Sequence, residues 1–393
     1  MNPKAEQYLH DKISGLIQSF LPGSHMMFSE SFNGDVKLLA KEIVKQRGKW
    51  IDEESATRMI FRYIYNEISS YEDSEGIEVY GELVDVKKFA DGLVGDIKSI
   101  PNCYDGYFDF DVLMRDRDYQ FRLGGDKGYE FGRFWSDEVR GPEGSVLGGI
   151  ADPQEITCLK IPIKGYCDSN ESCLTLHDAR SYFKIFVCLA IDSGLFSVSQ
   201  WSAPKKYNRY LTYPAMHVCE VGVAGRDSYA LSRDINLLLH KLTIVKGADE
   251  SFVTPRIEEL SRGFEALIGA ESTAAKKLRM ACEWSFDALV EESAPMAVVK
   301  ICIALESIYG DSNSEAGVTK TLTDRCAYFL ANSHANRVEI SNSVKDLYQL
   351  RSKIVHGVES RLNAQGRELL ELGRHLLRQS INKELVLLRA ATD

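Results

Sequence analysis

The chain has 393 residues, 44% hydrophobic and 26% charged, with a formal net charge of −10. That length calls for two or three domains rather than one core, and the composition excludes large-scale disorder. No apolar run approaches the roughly 20 residues that span a bilayer. The opening stretch, MNPKAEQYLHDKISGLIQSFLPG, mixes charges through its apolar positions and lacks the apolar core of a signal peptide. A cytoplasmic protein with no membrane partner is the expectation. The nine cysteines form no CxxC pair and are irregularly spaced. That pattern argues against a disulfide framework or a zinc site, so neither metal nor cofactor is expected; most of the cysteines read as small buried apolar residues.

Residues 1–72 read as a helical N-terminal segment. PKAEQYLHDKISGLIQSFL, DVKLLAKEIVKQRGKW and EESATRMIFRYIYNEISS each repeat apolar residues at i, i+3, i+4. Asp52 precedes the third run as an N-cap. From 73 to 253 the texture is α+β. GIEVYGELVDV, GYFDFDVLM, DYQFRLGG, YEFGRFW, EITCLKIPIKGY and RYLTYPAMHVCEVGV read as strands punctuated by turn residues. LHDARSYFKIFVCLAIDSGLF and RDINLLLHKLTIVKG return to a helical period. RLGGDKGYEFGRF matches neither GxGxxG nor a P-loop and is expected to be a hairpin. The aromatics around it, among them Tyr104, Tyr107, Phe108, Tyr119, Phe121, Tyr129, Phe131, Phe134 and Trp135, fit a sheet core.

From 254 to 393 everything reads as an all-α bundle of about six helices. Pro255 marks the first start. Gly269, Ser293-Ala294-Pro295, Gly310-Asp311-Ser312-Asn313 and Gly357 mark the turns. This part holds 18 Lys plus Arg against 19 Asp plus Glu, so −9 of the −10 falls on the first 253 residues. From Lys345 onward 9 basic residues face 6 acidic ones, a weak pointer to a polyanion.

One stretch of this bundle breaks the pattern. In and around LYQLRSKIVHG, Val344, Leu347, Tyr348, Ile354, Val355 and Val358 recur on an apolar stripe. At about 100° per residue, Arg351 lies within roughly 20° of Val344, on that stripe. A guanidinium there costs desolvation energy unless something pairs with it. His356 follows about 140° around and roughly 7.5 Å along the axis. The two are not stacked; Ser352 is the residue beneath His356. Gly357 reads as the C′ residue, which puts His356 at the carbonyl end of the helix, where a cation is favoured. Imidazole changes charge near neutrality and can serve as general acid or base. Arginine can grip a phosphate through two hydrogen bonds. A cleft between two copies of the helix would bring both residue types together from both chains. The plainer reading is a core arginine salt-bridged to an acid such as Glu306, with His356 a simple helix-end residue. Asp324-Arg325 reads as a structural ion pair, and Arg374 and His375 as solvated.

ICIALESIYG, LTDRCAYFLAN and LYQLRSKIVHG, in that order, resemble the HEPN superfamily, and more closely its Apea-like group. The resemblance covers roughly residues 260–390. It implies a helical nuclease bundle that cleaves RNA without metal, by attack of a 2′-hydroxyl on the adjacent 3′-phosphate. His356 would act as general base or acid and Arg351 would orient the phosphate. Ser352 and Lys353 would contact the RNA backbone. A homodimer through the C-terminal bundle is implied, and so is anti-phage defence. In that role residues 73–253 would be a sensor or regulatory domain, responding to a phage-derived trigger. Some HEPN bundles are silent dimerisation or nucleotide-binding modules, and that alternative places the function in the N-terminal region.

Overall fold

The computed structural model describes residues 1–18, 30–67, 70–72, 78–80, 85–110, 122–124, 128–135, 138–139, 155–168, 172–198, 215–223, 225–244, 250–310 and 318–391. They are mostly helical, with a smaller share of strand. Two compact units result: Met1–Gly106 with Pro162–Ala179 and Val218–Asp227, and Tyr107–Ile161 with Arg180–His217 and Ser228–Asp393.

The first unit opens with helices α1 (Pro3–Gln18), α2 (Glu30–Arg47) and α3 (Glu53–Glu67), close to the expected runs. Asp52 caps α3: its Oδ1 accepts the Ser55 N–H at 2.7 Å. A short antiparallel pair, β1 (Ser70–Glu72) and β2 (Glu78–Tyr80), follows. Of the strand expected across GIEVYGELVDV, residues 78–80 are described as strand, and residues 76–77 and 81–84 lie outside the described ones. Asp85 instead caps a fourth helix, α4 (Val86–Ser99), accepting the Lys88 N–H at 3.0 Å. Phe89, Leu93 and Ile97 of α4 close a core with Leu9 and Ile13 of α1 and Val36 of α2.

The main sheet has the order β4-β5-β6-β3-β8-β9, built from β3 (Asn102–Asp109), β4 (Arg122–Gly124), β5 (Glu130–Trp135), β6 (Glu155–Gly165), β8 (Ala215–Glu220) and β9 (Asp227–Ala230). β4 and β5 pair antiparallel with Gly124 opposite Glu130, so the glycine-rich stretch is a hairpin; its residues 125–127 lie outside the described ones. A separate strand pair joins β7 (Phe196–Val198) to β10 (Leu242–Ile244). Two helices accompany these strands, α5 (Leu174–Asp192) and α6 (Arg233–Lys241). RDINLLLHKLTIVKG is therefore helix and then strand, where one helix is expected. Tyr104, Tyr107, Phe108, Tyr129, Phe131 and Phe134 are buried, as a sheet core requires, whereas Trp135 is exposed. Tyr119 and Phe121 lie outside the described residues.

In the second unit α5 sits between sheet and helices. Phe183 stacks on Phe108 of β3 with centroids 4.6 Å apart and meets Phe286 edge-on. Phe186 touches Phe131 of β5 at 5.1 Å and Phe264 at 5.6 Å. Phe264 belongs to α7 (Glu250–Gly269) and Phe286 to α8 (Thr273–Val290). Each buried phenylalanine contributes about 1.5–3 kcal/mol by leaving water, and each ring pair about 0.5–1.5 kcal/mol more. α7 begins five residues before Pro255, so that proline lies inside the helix rather than at its start.

α9 (Ala294–Tyr309) is the central helix, packed by α8, α10 (Val318–Leu330), α11 (His334–Val355) and α12 (Ala364–Ala390). Its only charges are Lys300, ion-paired to Glu291 at 2.6 Å, and Glu306. α12 approaches α9 and α11 through Gly373. A Cβ there would meet Leu347 at 3.0 Å and Ile301 at 3.2 Å. Arg325 of α10 donates to the Tyr309 carbonyl at 3.1 Å, satisfying the end of α9. His375 is exposed, as expected, and Arg374 pairs with Glu371 at 2.5 Å.

α12 also holds the end of α5. Arg378 donates to the Ile191 and Asp192 carbonyls and lies 3.6 Å from the Asp192 carboxylate. That carboxylate is nearly buried, and burial pushes it up to about 7 against the pull of Arg378. An ordinary unfolded aspartate titrates near 3.9. Between those values the folded chain holds a proton that the unfolded chain has lost, so stability falls as pH rises. Three units at 1.36 kcal/mol each give a loss on the order of 4 kcal/mol, complete above pH ~7. We predict that Asp192→Asn abolishes this slope and raises the melting temperature at pH 8 but not at pH 4. Parallel melting curves for the two proteins across that range check it.

Candidate functional site

α11 runs unbroken from His334 to Val355, with Ser333 as its N-cap. Ile340, Val344, Leu347, Tyr348 and Leu350 are buried, so the expected stripe is real through that point. It then stops. Ile354 is half-buried, while Val355 and Val358 are 52% and 74% exposed, contrary to their place on the stripe. The physical reason is that the buried face ends at Leu350 and the last turn of the helix carries its side chains out to solvent.

The chain reverses directly after that turn. His356 is the C-cap, and Gly357 has φ +73°. The Gly357 N–H donates to the Ile354 carbonyl at 3.0 Å, and the Val358 N–H to the Lys353 carbonyl at 2.8 Å. These two bonds make a Schellman motif, and its left-handed residue is the expected glycine. The His356 N–H still bonds the Ser352 carbonyl at 3.0 Å. The imidazole therefore hangs from a backbone fixed on both sides, and its side chain is exposed. Ser352 and Lys353 are exposed on the same final turn.

Arg351 has a different setting. It is half-buried, and its Nε is buried with no hydrogen-bond partner. Among the described residues its guanidinium forms no salt bridge. The pairing with Glu306 that would make it purely structural is not formed, although the two share neighbours. Tyr348 donates to the Cys302 carbonyl at 2.9 Å, and Glu306 is near enough to act on its phenol. Burial raises the Tyr348 phenol strongly, the neighbouring Cys302 and Glu306 add to the rise, and Arg351 pulls the other way. The Cys302 thiol is pushed up to about 12 by burial and then by Glu306, with Arg351 again opposing. Arg351 thus stands in the field of a carboxylate without being consumed by it. An orphaned buried donor costs about 1–3 kcal/mol, and an anion at the end of α11 would relieve that cost.

The structure thus brings Arg351, Ser352, Lys353 and His356 to one helix end, half-buried at the arginine and open at the other three. The arrangement can offer a phosphate an arginine donor, and a nearby hydroxyl an imidazole. Among the described residues no group of three or more His, Cys, Asp or Glu side chains is placed to hold a metal ion. Reading the sequence did not reveal the exposed apolar pair that flanks His356; only the neighbours of α11 decide which of its turns are covered.

Gly357 gives a direct test of how rigid this corner is. Nothing lies within 4 Å of the place where a Cβ would sit. Gly357→Ala should therefore cost only the left-handed backbone term, about 1–2 kcal/mol. Urea unfolding of the two proteins measures it, and an unchanged midpoint would mean that the turn relaxes freely.

No protein-family model, no curated protein and no solved structure matches this chain.

Proposed function

We propose that this chain is a metal-independent endoribonuclease of the HEPN type that acts in anti-phage defence. Residues 254–393 supply the nuclease bundle, and the α+β region before them senses a phage-derived trigger or restrains cleavage. The observation that carries this reading is the state of Arg351. Its guanidinium has a buried, unbonded Nε and, among the described residues, no salt bridge, five residues before an exposed histidine on a fixed helix cap. A purely structural arginine would have spent its donors on a carboxylate. This one keeps a donor for a phosphate.

The chemistry follows from those two side chains. His356 takes the proton of a ribose 2′-hydroxyl, the oxygen attacks the adjacent phosphorus, and Arg351 stabilises the added negative charge. The 5′-oxygen leaves with a proton, giving a 2′,3′-cyclic phosphate and a 5′-hydroxyl end. One imidazole cannot be base and acid at once, so a second copy's His356 is the natural proton donor. Ser352 and Lys353, exposed beside it, contact neighbouring phosphates.

The exposed Val355 and Val358 favour the same assembly and also keep a second reading open. An apolar pair flanking His356 fits an interface between two copies of α11. If that interface buries His356 entirely, the bundle is a silent dimerisation module and the N-terminal region carries the function.

Two measurements separate these readings. Purified protein should cleave RNA in excess EDTA and leave cyclic-phosphate ends. His356→Ala should slow cleavage by ~10²–10⁴-fold, the usual worth of a positioned acid or base. Its stability should change by no more than the ~1 kcal/mol of a helix-end charge. Strict metal dependence, 3′-hydroxyl products, or full activity of the variant would sink the nuclease. For the assembly, light scattering should give a dimer for the wild type. Val358→Asp should shift it towards monomer, because two like charges would face each other across the seam. A wild-type monomer at high micromolar concentration would count against the two-copy cleft.

A further inference from the structure

The first unit brings two cysteines together at a helix start, far in sequence from Arg351 and His356. β6 ends at Gly165, and the chain passes Cys167 and Asp168 before α5 begins at Leu174. Cys173 is the residue just before α5. Its carbonyl accepts the His177 N–H at 3.0 Å, the first bond of the helix. It therefore holds the N-cap position, where Ser, Thr, Asp or Asn is usual. Its sulfur takes the place of their oxygen and accepts from the Leu176 and Asp168 N–H groups. The Cys167 thiol is a further donor to it.

Those bonds favour a thiolate at Cys173, as the N-terminal end of a helix does in general. The Cys173 thiol is held down to about 7, chiefly by the Cys167 hydrogen bond, against burial and the nearby Asp168 charge. The same contact and burial push Cys167 up. Near neutral pH the two sulfurs thus hold one proton between them. Their backbones are fixed from several sides. The Cys167 N–H donates to the Tyr104 hydroxyl at 3.2 Å, and the Thr175 hydroxyl donates to the Tyr166 carbonyl at 2.9 Å. Asp168 is paired with Arg58 of α3 at 2.8 Å, so that guanidinium is already engaged. Cys173 is fully buried, but Cys167 is partly exposed.

We propose that Cys167 and Cys173 are a redox-responsive dithiol, which a hydroperoxide closes to an intrachain disulfide at the start of α5. A proton moving along the S–H···S contact lets the charge sit on Cys167, the sulfur a peroxide can reach. That thiolate attacks one peroxide oxygen. An S–O bond forms, the O–O bond breaks, and the other oxygen leaves and takes a proton. Cys173 then attacks the sulfenic sulfur. The S–S bond forms, the S–O bond breaks, and hydroxide departs as water with the remaining thiol proton. Two thiols have lost two electrons to one peroxide, and an external dithiol reverses the change. Closure removes the anionic sulfur from the helix N-terminus and from beside Asp168.

The full-length chain tests this with hydrogen peroxide as the probe. Trypsin cleaves after Lys164 and Arg180, so both cysteines fall in one peptide. After a short peroxide exposure at pH 7.5, the protein is denatured and alkylated with iodoacetamide. That peptide should appear unalkylated and lighter by two hydrogen atoms, and dithiothreitol should restore two alkylation sites. Cys188 and Cys282, also hydrogen-bonded but both buried, are the internal comparison and should oxidise more slowly. Cys173→Ser keeps an oxygen at the cap, so the fold should hold by circular dichroism while the peptide can no longer close. In that variant peroxide should leave Cys167 at the sulfenic acid, which dimedone traps, because the resolving thiol is gone. A peptide that stays fully alkylated while other thiols oxidise would overturn the proposal. Absence of a dimedone adduct on Cys167 in peroxide-treated Cys173→Ser would do the same.

Discussion

The rings of Phe183 and Phe186 are what the second unit depends on. α5 turns one towards Phe108 and the other towards Phe131 on the sheet, and the same two side chains meet Phe286 and Phe264 on the helices. Aromatic contacts of this kind are both large in buried area and fixed in geometry. They set where α7 and α8 lie against β3 and β5. α8 in turn packs α9, and α9 packs α11. The position of the helix that carries Arg351 thus follows from a stack of rings that the sheet begins. The helical run after residue 254 and strands β4 and β5 belong to one compact unit for this reason.

A second constraint acts at the other end of that chain of contacts. Lys300 and Glu306 are the only charged residues of α9, and Lys300 is satisfied by Glu291. Glu306 is left among Cys302, Tyr348 and Arg351. Burial raises the thiol and the phenol, so both stay neutral, with Glu306 adding to the rise and Arg351 opposing it. The arginine acts on the same thiol and phenol as Glu306 and has no salt bridge among the described residues. In this way the packing of α9 and α11 keeps a half-buried arginine at the last turn before the cap.

Much of this could be read in the sequence, where the signal is local. The six C-terminal helices follow from their periodic runs, and Gly357 announces a left-handed cap because no other residue enters that region as cheaply. The β4–β5 hairpin is visible for similar reasons. α4 was legible in principle: Asp85 stands three residues before the N–H it caps, and Phe89, Leu93 and Ile97 recur every fourth residue. The alternation of the stretch before it masks that signal, and β10 is likewise hidden because it follows α6 without a turn residue. Cys173 as a cap is harder to see, since sulfur is not among the usual capping atoms. The exposure of Val355 and Val358, the unpaired Nε of Arg351 and the sharing of one unit by distant segments are decided by tertiary neighbours. No local pattern encodes them.

The grip of Arg378 on the end of α5 has a consequence for synthesis. Donor and acceptor are separated by 186 residues. At roughly 5–20 residues per second, about 10–40 s pass on the ribosome between the making of Asp192 and of Arg378. During that interval the end of α5 lacks its guanidinium and the last long helix does not yet exist. The second unit, assembled from three separated stretches, must wait for its final one. The corner that carries Arg351 and His356 therefore matures late, after the helices of the first unit have had time to close their own core.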